Sequence, residues 1–406
     1  MVRAKPLDTI ARDAPSSEGG SMVMAKHPNS KRVLVAHNVI RGHWGGMARM
    51  MESVHNTLEL FGWTIDYFTA DNMPSACGPR LRRYSFPWHA RRYAREAFRR
   101  GEPYDVINIH EPVGAAVVFQ QSGLGRPAIV AMSHGVEQRY WELRLGENIP
   151  SPEPPTWKTR VLFPLTSLWQ SQLTLRRADH VLCLNEEDRN YLSARFRIDP
   201  DRITRVFPGT GPEFSRVAAK RCYDRVKNRV LFSGTWIERK GIRQIVEAFS
   251  LLADRHPLLR LGILGAGVPA SRVIADFPAH LHSRIAVLPP LSHADCAEVL
   301  LDYDVFLLPS FFEGTPLALI EAMCTGIPVI TTKTCGMMDV VEDGQNGLLI
   351  APGNSEHIIS SVELLMTDSS LRRRLGTRAS NDASLKYTWR AAAELVNNVY
   401  SDLLRS

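Results

Sequence analysis

The most regular hydrophobic pattern in the chain lies at residues 304–332, where short apolar runs and structure-breaking residues follow one another as strand, loop, helix and strand. Val305, Phe306, Leu307 and Leu308 form a continuous apolar run of the kind buried on both faces of a parallel sheet; Pro309, Ser310 and Gly314 break it into a loop. Pro316 suits the first turn of the helix that should follow, where its missing N–H would be unpaired anyway, and Gly326 with Pro328 stops that helix before a strand at 329–331. Comparable runs at 32–36, 64–69, 106–109, 129–132, 181–184 and 203–207 predict strands of a first unit, and the pattern restarts at 230–233 and 261–264. Amphipathic helices are predicted at 47–61 and 242–253. Two helical stretches follow Ile350, the last at 388–404.

Strands alternating with helices specify an α/β fold built on parallel sheets, and 406 residues exceed what one core supports. Two Rossmann-like domains are therefore expected: 31–208, a hinge at 209–225, and 226–385, followed by a final helix at 386–406. Residues 1–30 are polar and without periodicity, which predicts a disordered leader; Met22 or Met24 is an alternative start.

In open α/β sheets, ligands gather at the carboxyl ends of strands. After the 305–308 run, the free N–H groups of Leu317 and Ala318 at a helix start suit an anion, with Glu313 and Glu321 on either side of them. Carboxylates repel phosphate but accept hydrogen bonds from hydroxyls, so the pair suggests a ligand with both, such as a sugar nucleotide. The plainer alternative is a solvated loop glutamate and an ordinary helix-surface one. Gly45 and Gly46 end a glycine-bearing loop after the first strand, either for close backbone approach to a ligand or for a tight turn. His110 and His134 end two further strands, as ligand contacts or as structural loop histidines.

The stretch from Pro309-Ser310 through Glu313-Gly314, Pro316-Leu317 and Glu321-Ala322-Met323 to Gly326 and Pro328-Val329 resembles the signature of the family 4 (group 1) retaining glycosyltransferases. The resemblance extends over about 32–400 and implies the GT-B architecture: two Rossmann-like domains facing across a cleft, with the C-terminal helix crossing back. It implies transfer with retention from a UDP- or GDP-sugar, which is a co-substrate and not a cofactor, through a front-side step in which the departing phosphate helps deprotonate the acceptor. Glu313 then holds sugar hydroxyls, Glu321 the ribose, and His134 lies near the C6 hydroxyl and the leaving group, with His110 a weaker candidate. Gly45-Gly46 and the Gly265-Ala266-Gly267 turn fall among the donor-binding residues. Residues 232–241 resemble the diphosphate loop, with Lys240 and Gly241 in register; Thr235, however, stands where the family usually has Arg, and Arg239 is the neighbouring cation. At the domain exit Gly209 replaces the usual Asn after Pro208. Two other readings remain open, a nucleotide-sugar 2-epimerase and a transferase-like protein that binds without catalysis.

Two Asp-x-Asp triplets, Asp199-Pro200-Asp201 and Asp302-Tyr303-Asp304, read as turn and cap chemistry, and no metal is expected. A net charge of +7 favours anionic partners. Arginines crowd 80–100, with Tyr84, Trp88 and Phe98 among them and Glu96 as the one acid; an apolar-basic stretch follows at 157–177. These segments read as a solvated or acceptor-binding face or as a seat on anionic membrane, with nucleic acid disfavoured. The acceptor is expected to be a sugar, a lipid-linked molecule or another small molecule. Six cysteines without a Cys-x-x-Cys pair, and no apolar run near the roughly 18 residues that span a bilayer, predict a cytoplasmic protein, with the inner membrane face as its peripheral seat.

Overall fold

Every long apolar run becomes a parallel strand. The computed structural model describes residues 31–39, 46–74, 78–119, 126–146, 148–150 and 154–405, without the side chains of 79–81. The leader and Gly45 lie outside the described residues. From Lys31 onward the chain packs as one compact body, within which each of the two sheets and its helices forms a unit.

The first sheet contains β1 (Lys31–Ala36), β2 (Trp63–Phe68), β3 (Val106–His110), β4 (Ala128–Met132), β5 (His180–Cys183) and β6 (Ile203–Arg205), in the order β2-β1-β3-β4-β5-β6. The second contains β7 (Arg229–Ser233), β8 (Arg260–Leu264), β9 (Ile285–Val287), β10 (Val305–Leu308), β11 (Val329–Thr332) and β12 (Leu348–Ile350), in the order β12-β11-β10-β7-β8-β9. Within the second unit that is the 3-2-1-4-5-6 order of a dinucleotide-binding fold. β10 is buried along its whole length, with Phe306 in register with Leu231 on one side and Val329 on the other. Strand order reverses between β1 and β3 and between β7 and β10, and each reversal opens a crevice at the carboxyl ends. The two six-stranded sheets are the two-Rossmann arrangement that the apolar pattern implied.

Three helices follow Ile350 where two were expected: Ser355–Thr367, Ser369–Lys386 and Trp389–Leu403. The extra break falls at Asp368, whose carboxylate accepts from Leu371 N at 2.9 Å and caps a new start inside a run that has neither Gly nor Pro there. Residues 209–225 are not an open linker. They carry the short helix Pro212–Val217, and the Arg221 guanidinium donates to the carbonyls of Leu300, Tyr303 and Thr325 at 2.8–3.0 Å.

The last helix crosses back onto the first unit. Ala393, Val396 and Tyr400 share a core with Val33 and Trp63 and with Met50, Val54 and Leu58 of α1 (Gly46–Leu58). The chain crosses between units twice, side by side: Thr210 bridges Thr388, and a Cβ on Gly209 would lie 2.1 Å from Trp389 N, which accounts for glycine at this exit. Tyr400 is fully buried; its hydroxyl accepts from Asn108 Nδ2 at 2.5 Å and lies 3.2 Å from His55 Nε2. Tyr400→Phe strands both polar groups, so an equilibrium urea titration should show a loss of about 1–3 kcal/mol. An unchanged midpoint would mean that the crossover is held by packing alone.

Candidate active site in the cleft between the sheets

The carboxyl ends of both sheets face a cleft of about 1260 Å³. On the second sheet's side, the loop after β7 carries Thr235, Arg239 and Lys240, the turn after β8 carries Gly265 and Gly267, and the loop and helix after β10 carry Glu313, Leu317, Ala318 and Glu321. Gly46 and His134 line the facing side. The structure thus gathers every expected site residue that it describes except the weaker candidate His110.

Glu313 is neither solvated nor alone. Its carboxylate lies 2.6 Å from Lys240 Nζ and 3.2 Å from an Arg239 guanidinium nitrogen, with side-chain exposure of 10% for Glu313 and 12% for Lys240. Burial pushes the Glu313 carboxyl up, but the two cations outweigh it and hold the group below the ordinary glutamate value. This pairing leaves Lys240 half-buried, and Thr235 is the exposed member of the loop. Arg239 also donates to the Phe312 carbonyl, and Phe311 N donates to Arg239 O at 2.9 Å, which zips the loop after β7 to the loop after β10.

Glu321 is likewise not a helix-surface residue. It pairs across the cleft with Arg49 of α1. Burial pushes its carboxyl up and the Arg49 cation opposes the push.

His134 is half-buried in the cleft wall and largely desolvated. Its Nε2 lies 2.8 Å from His110 Nδ1, the rings stacked at 5.1 Å between centroids. Burial, aided by His37 and His55, drives His134 down to about 3, and burial drives His110 well below its ordinary value. Both rings are neutral near pH 7, so one donates to the other. His110 supports His134 and does not line the cleft itself.

The two halves touch at Gly314, where a Cβ would meet the His134 carbonyl at 2.5 Å. Asn185 Nδ2 donates to Gly314 O at 3.2 Å, and Thr315 Oγ1 to Leu184 O at 2.6 Å.

Three contributors escaped the sequence. Arg49 follows the glycine loop but carried no mark of its partner. Arg139, on α3 (Glu137–Leu145), bonds Asp188 at 2.8 Å, approaches Cys335 Sγ at 3.5 Å and stacks 5.3 Å from the Phe312 ring, joining the halves. Glu111 stood in view in His110-Glu111-Pro112 but went unnoticed as a site residue. It lines the cleft, accepting from Ser133 Oγ at 2.5 Å, from Glu137 N at 3.1 Å and from Ser171 Oγ. Asp199 acts as the sequence indicated, accepting from Asp201 N at 3.1 Å; Asp304 instead accepts from Lys227 N and Arg229 N at 2.9–3.0 Å and so pins the start of the neighbouring β7.

Solved structures share this architecture. Sucrose-phosphate synthase from Thermosynechococcus elongatus superposes with a TM-score of 0.73 at 18% identity, over 92% of this chain and 99% of its own. Anabaena HepE in complex with UDP and glucose gives 0.63 at 18% identity, over 91% and 99%. The fold is that of the GT-B glycosyltransferases. Residues 44–214 match the model of Glycosyltransferase Family 4 and residues 222–382 that of Glycosyl transferases group 1, and the chain belongs to the family 4, group 1 glycosyltransferases. Among curated relatives, a D-inositol 3-phosphate glycosyltransferase of Corynebacterium glutamicum (strain R) is 26% identical over 74% of this chain and 73% of its own length. Against another protein of that description, from Streptomyces bingchenggensis, the match spans about half of the relative, 54%, at 28% identity.

Burial pushes the Glu111 carboxyl up to about 7, against the pull of its hydroxyl donors. The unfolded chain releases this proton near pH 4–5, whereas the folded chain holds it to about 7; the native state binds more protons in that window and loses stability as pH rises through it. Glu111→Gln removes the titration. Its thermal midpoint relative to the parent protein should therefore climb between about pH 5 and pH 8 in scanning calorimetry. A difference independent of pH would show that the carboxyl titrates normally.

Proposed function

We propose that the protein is a retaining glycosyltransferase that moves a sugar from a UDP- or GDP-sugar to a hydroxyl of a sugar, lipid-linked or small-molecule acceptor, without a metal and in the cytoplasm. The observation that carries this reading is the ion cluster of a buried Glu313 with the half-buried Lys240 and Arg239 at the β7/β10 reversal, facing His134.

An ionised Glu313 only accepts hydrogen bonds, which suits sugar hydroxyls. Lys240, Arg239 and the N–H groups of Leu317 and Ala318 are the groups to meet the diphosphate, whose charge grows as its bond to the anomeric carbon breaks. Cations that already stand in place need no reorganisation at that moment. A neutral His134 cannot donate as imidazolium near pH 7; with Nε2 engaged by His110, it has Nδ1 and its backbone left for ligand. Deprotonation of the acceptor then falls to the departing phosphate, in keeping with front-side transfer. HepE, solved with UDP and glucose, and the family match support a nucleotide-sugar donor and a sugar-type acceptor. The cytoplasmic placement fits five described cysteines that are all free, and no described helix is long and apolar enough to cross a membrane.

The test is release of nucleoside diphosphate from a panel of donors, with proton NMR of the product's anomeric centre. An α-linked product from an α-configured donor is expected, and EDTA should leave the rate unchanged. Lys240→Ala should lower turnover by about a hundredfold or more, the cost of one preorganised donor at about 3 kcal/mol. Because it leaves Glu313 buried with Arg239 alone, its thermal midpoint should fall too, and turnover is to be read below that midpoint. Parental turnover in Lys240→Ala would remove the diphosphate from this loop. An inverted product would overturn retention, and a donor released with its sugar epimerised would favour the 2-epimerase reading.

A further inference from the structure

The outer face of the first unit carries a surface that lies outside the cleft. α2 (Pro79–Arg99) presents Trp88, Arg92, Arg95, Phe98 and Arg99 to solvent. Beside it, α4 (Trp157–Phe163) passes through a π-helical turn, Pro164–Leu168, into α5 (Trp169–Arg177). Trp157, Val161, Leu165 and Trp169 recur every fourth residue and are all exposed, Trp157 at 72% and Leu165 at 66%.

On a regular helix a spacing of four drifts by about 40° per step, so three steps would carry the row roughly a third of the way round. The π turn holds more residues per turn and takes back part of that drift just before Trp169. The opposite face remains inward, with Ser167, Leu168, Ser171, Thr174 and Leu175 buried. The result is an apolar ridge with nothing covering it among the described residues.

The ridge and α2 are continuous. The Arg83 guanidinium lies 5.5 Å from the Phe163 ring; the half-buried Arg91 donates to Phe119 O at 3.2 Å, and the exposed Phe119 ring lies 6.0 Å from Arg177. Charge is one-sided. Between 157 and 177 there are four Lys or Arg and no acidic residue, and the sole acid of α2, Glu96, is bound to Arg92 at 2.7 Å.

We propose that α2 and the α4–α5 ridge form one docking surface for an anionic lipid bilayer, with Trp157, Leu165 and Trp169 entering the acyl boundary and Arg92, Arg95, Arg99 and Lys158 meeting the headgroups. Charge complementarity selects this occupant: exposed apolar side chains bracketed by cations match an interface that is apolar within and negative at its surface. A second copy would bring the same positive face against this one. The surface adjoins the acceptor side of the cleft, since Ser171 of α5 donates to Glu111 and Arg83 of α2 pairs with Glu137 at 3.0 Å, both cleft residues. Only the use of docking, to present a membrane-held acceptor, rests on the transferase reading.

The experiment is sedimentation of the full chain with vesicles of phosphatidylglycerol and phosphatidylcholine, against phosphatidylcholine alone. Binding to the anionic vesicles, weakened by salt, is expected. Trp157→Ser, Leu165→Ser and Trp169→Ser combined should weaken partition at least tenfold. Arg92→Gln, Arg95→Gln and Arg99→Gln combined should abolish the preference for anionic lipid. All these side chains are exposed, so circular dichroism and nucleoside-diphosphate binding should match the parent, and failure of docking is separable from failure of the transferase reading. Brominated acyl chains should quench parental tryptophan fluorescence. The proposal is overturned if the parent does not bind anionic vesicles, if the serine variant binds as the parent does, or if size-exclusion chromatography shows a parental dimer that the serine variant dissociates without any vesicle binding.

Discussion

A carboxylate kept ionised inside the cleft is the constraint on which the rest of the site depends. Removing one ion of this kind from water costs several kcal/mol, and the cost is recovered only with partners in close geometry. Glu313 has Lys240 and Arg239 as those partners, and they come from the other side of the β7/β10 reversal. The ion cluster therefore fixes the two loops to one another, and the backbone bond from Phe311 N to Arg239 O repeats the link. The charge that suits Glu313 to hydroxyls and the charge that suits Lys240 to phosphate hold each other in place.

The same loop also ties the units together. One residue beyond Glu313, Gly314 packs against the His134 carbonyl and accepts from Asn185, and Thr315 donates to Leu184. Any change in the angle between the sheets is thus felt first at Glu313 and His134. A side chain at 314 would hold the units apart, and the groups that face one another across the cleft would no longer share a ligand.

Burial on both faces of a parallel sheet leaves an unmistakable mark, which is why β10, β7 and most strands of the first sheet could be read from apolar runs. β9 and β12 escaped because each has three residues and an interrupted burial pattern. Glu313, Glu321 and Lys240 were legible through a motif whose spacing is local. Arg49 was not, because its partner Glu321 lies 272 residues away and no short-range pattern encodes the pairing. Arg139 was hidden for the same reason, and the partial burial of Lys240 follows from Glu313 and not from its own loop. The apolar row at 157–169 was visible as composition, but the π turn that keeps it on one face was not.

The pairing of each recognition carboxylate with its own cation alters the weight of the missing arginine at 235. Arg239 and Lys240 stand with Glu313, and Arg49 with Glu321: three cations against two carboxylates. On the proposed reading a diphosphate would add two or more negative charges to this cluster, and the neutral Thr235 hydroxyl would contribute nothing to balance them. The cations must then be shared between carboxylate and phosphate, and Lys240, a flexible point charge with three donors, is better built for sharing than a planar guanidinium held in one orientation by the Phe312 carbonyl. Burial already pushes Glu321 toward its neutral form, and a protonated Glu321 would free Arg49 as well. If the diphosphate sits here as proposed, donor affinity would depend less on the number of cations than on how readily the carboxylates release them.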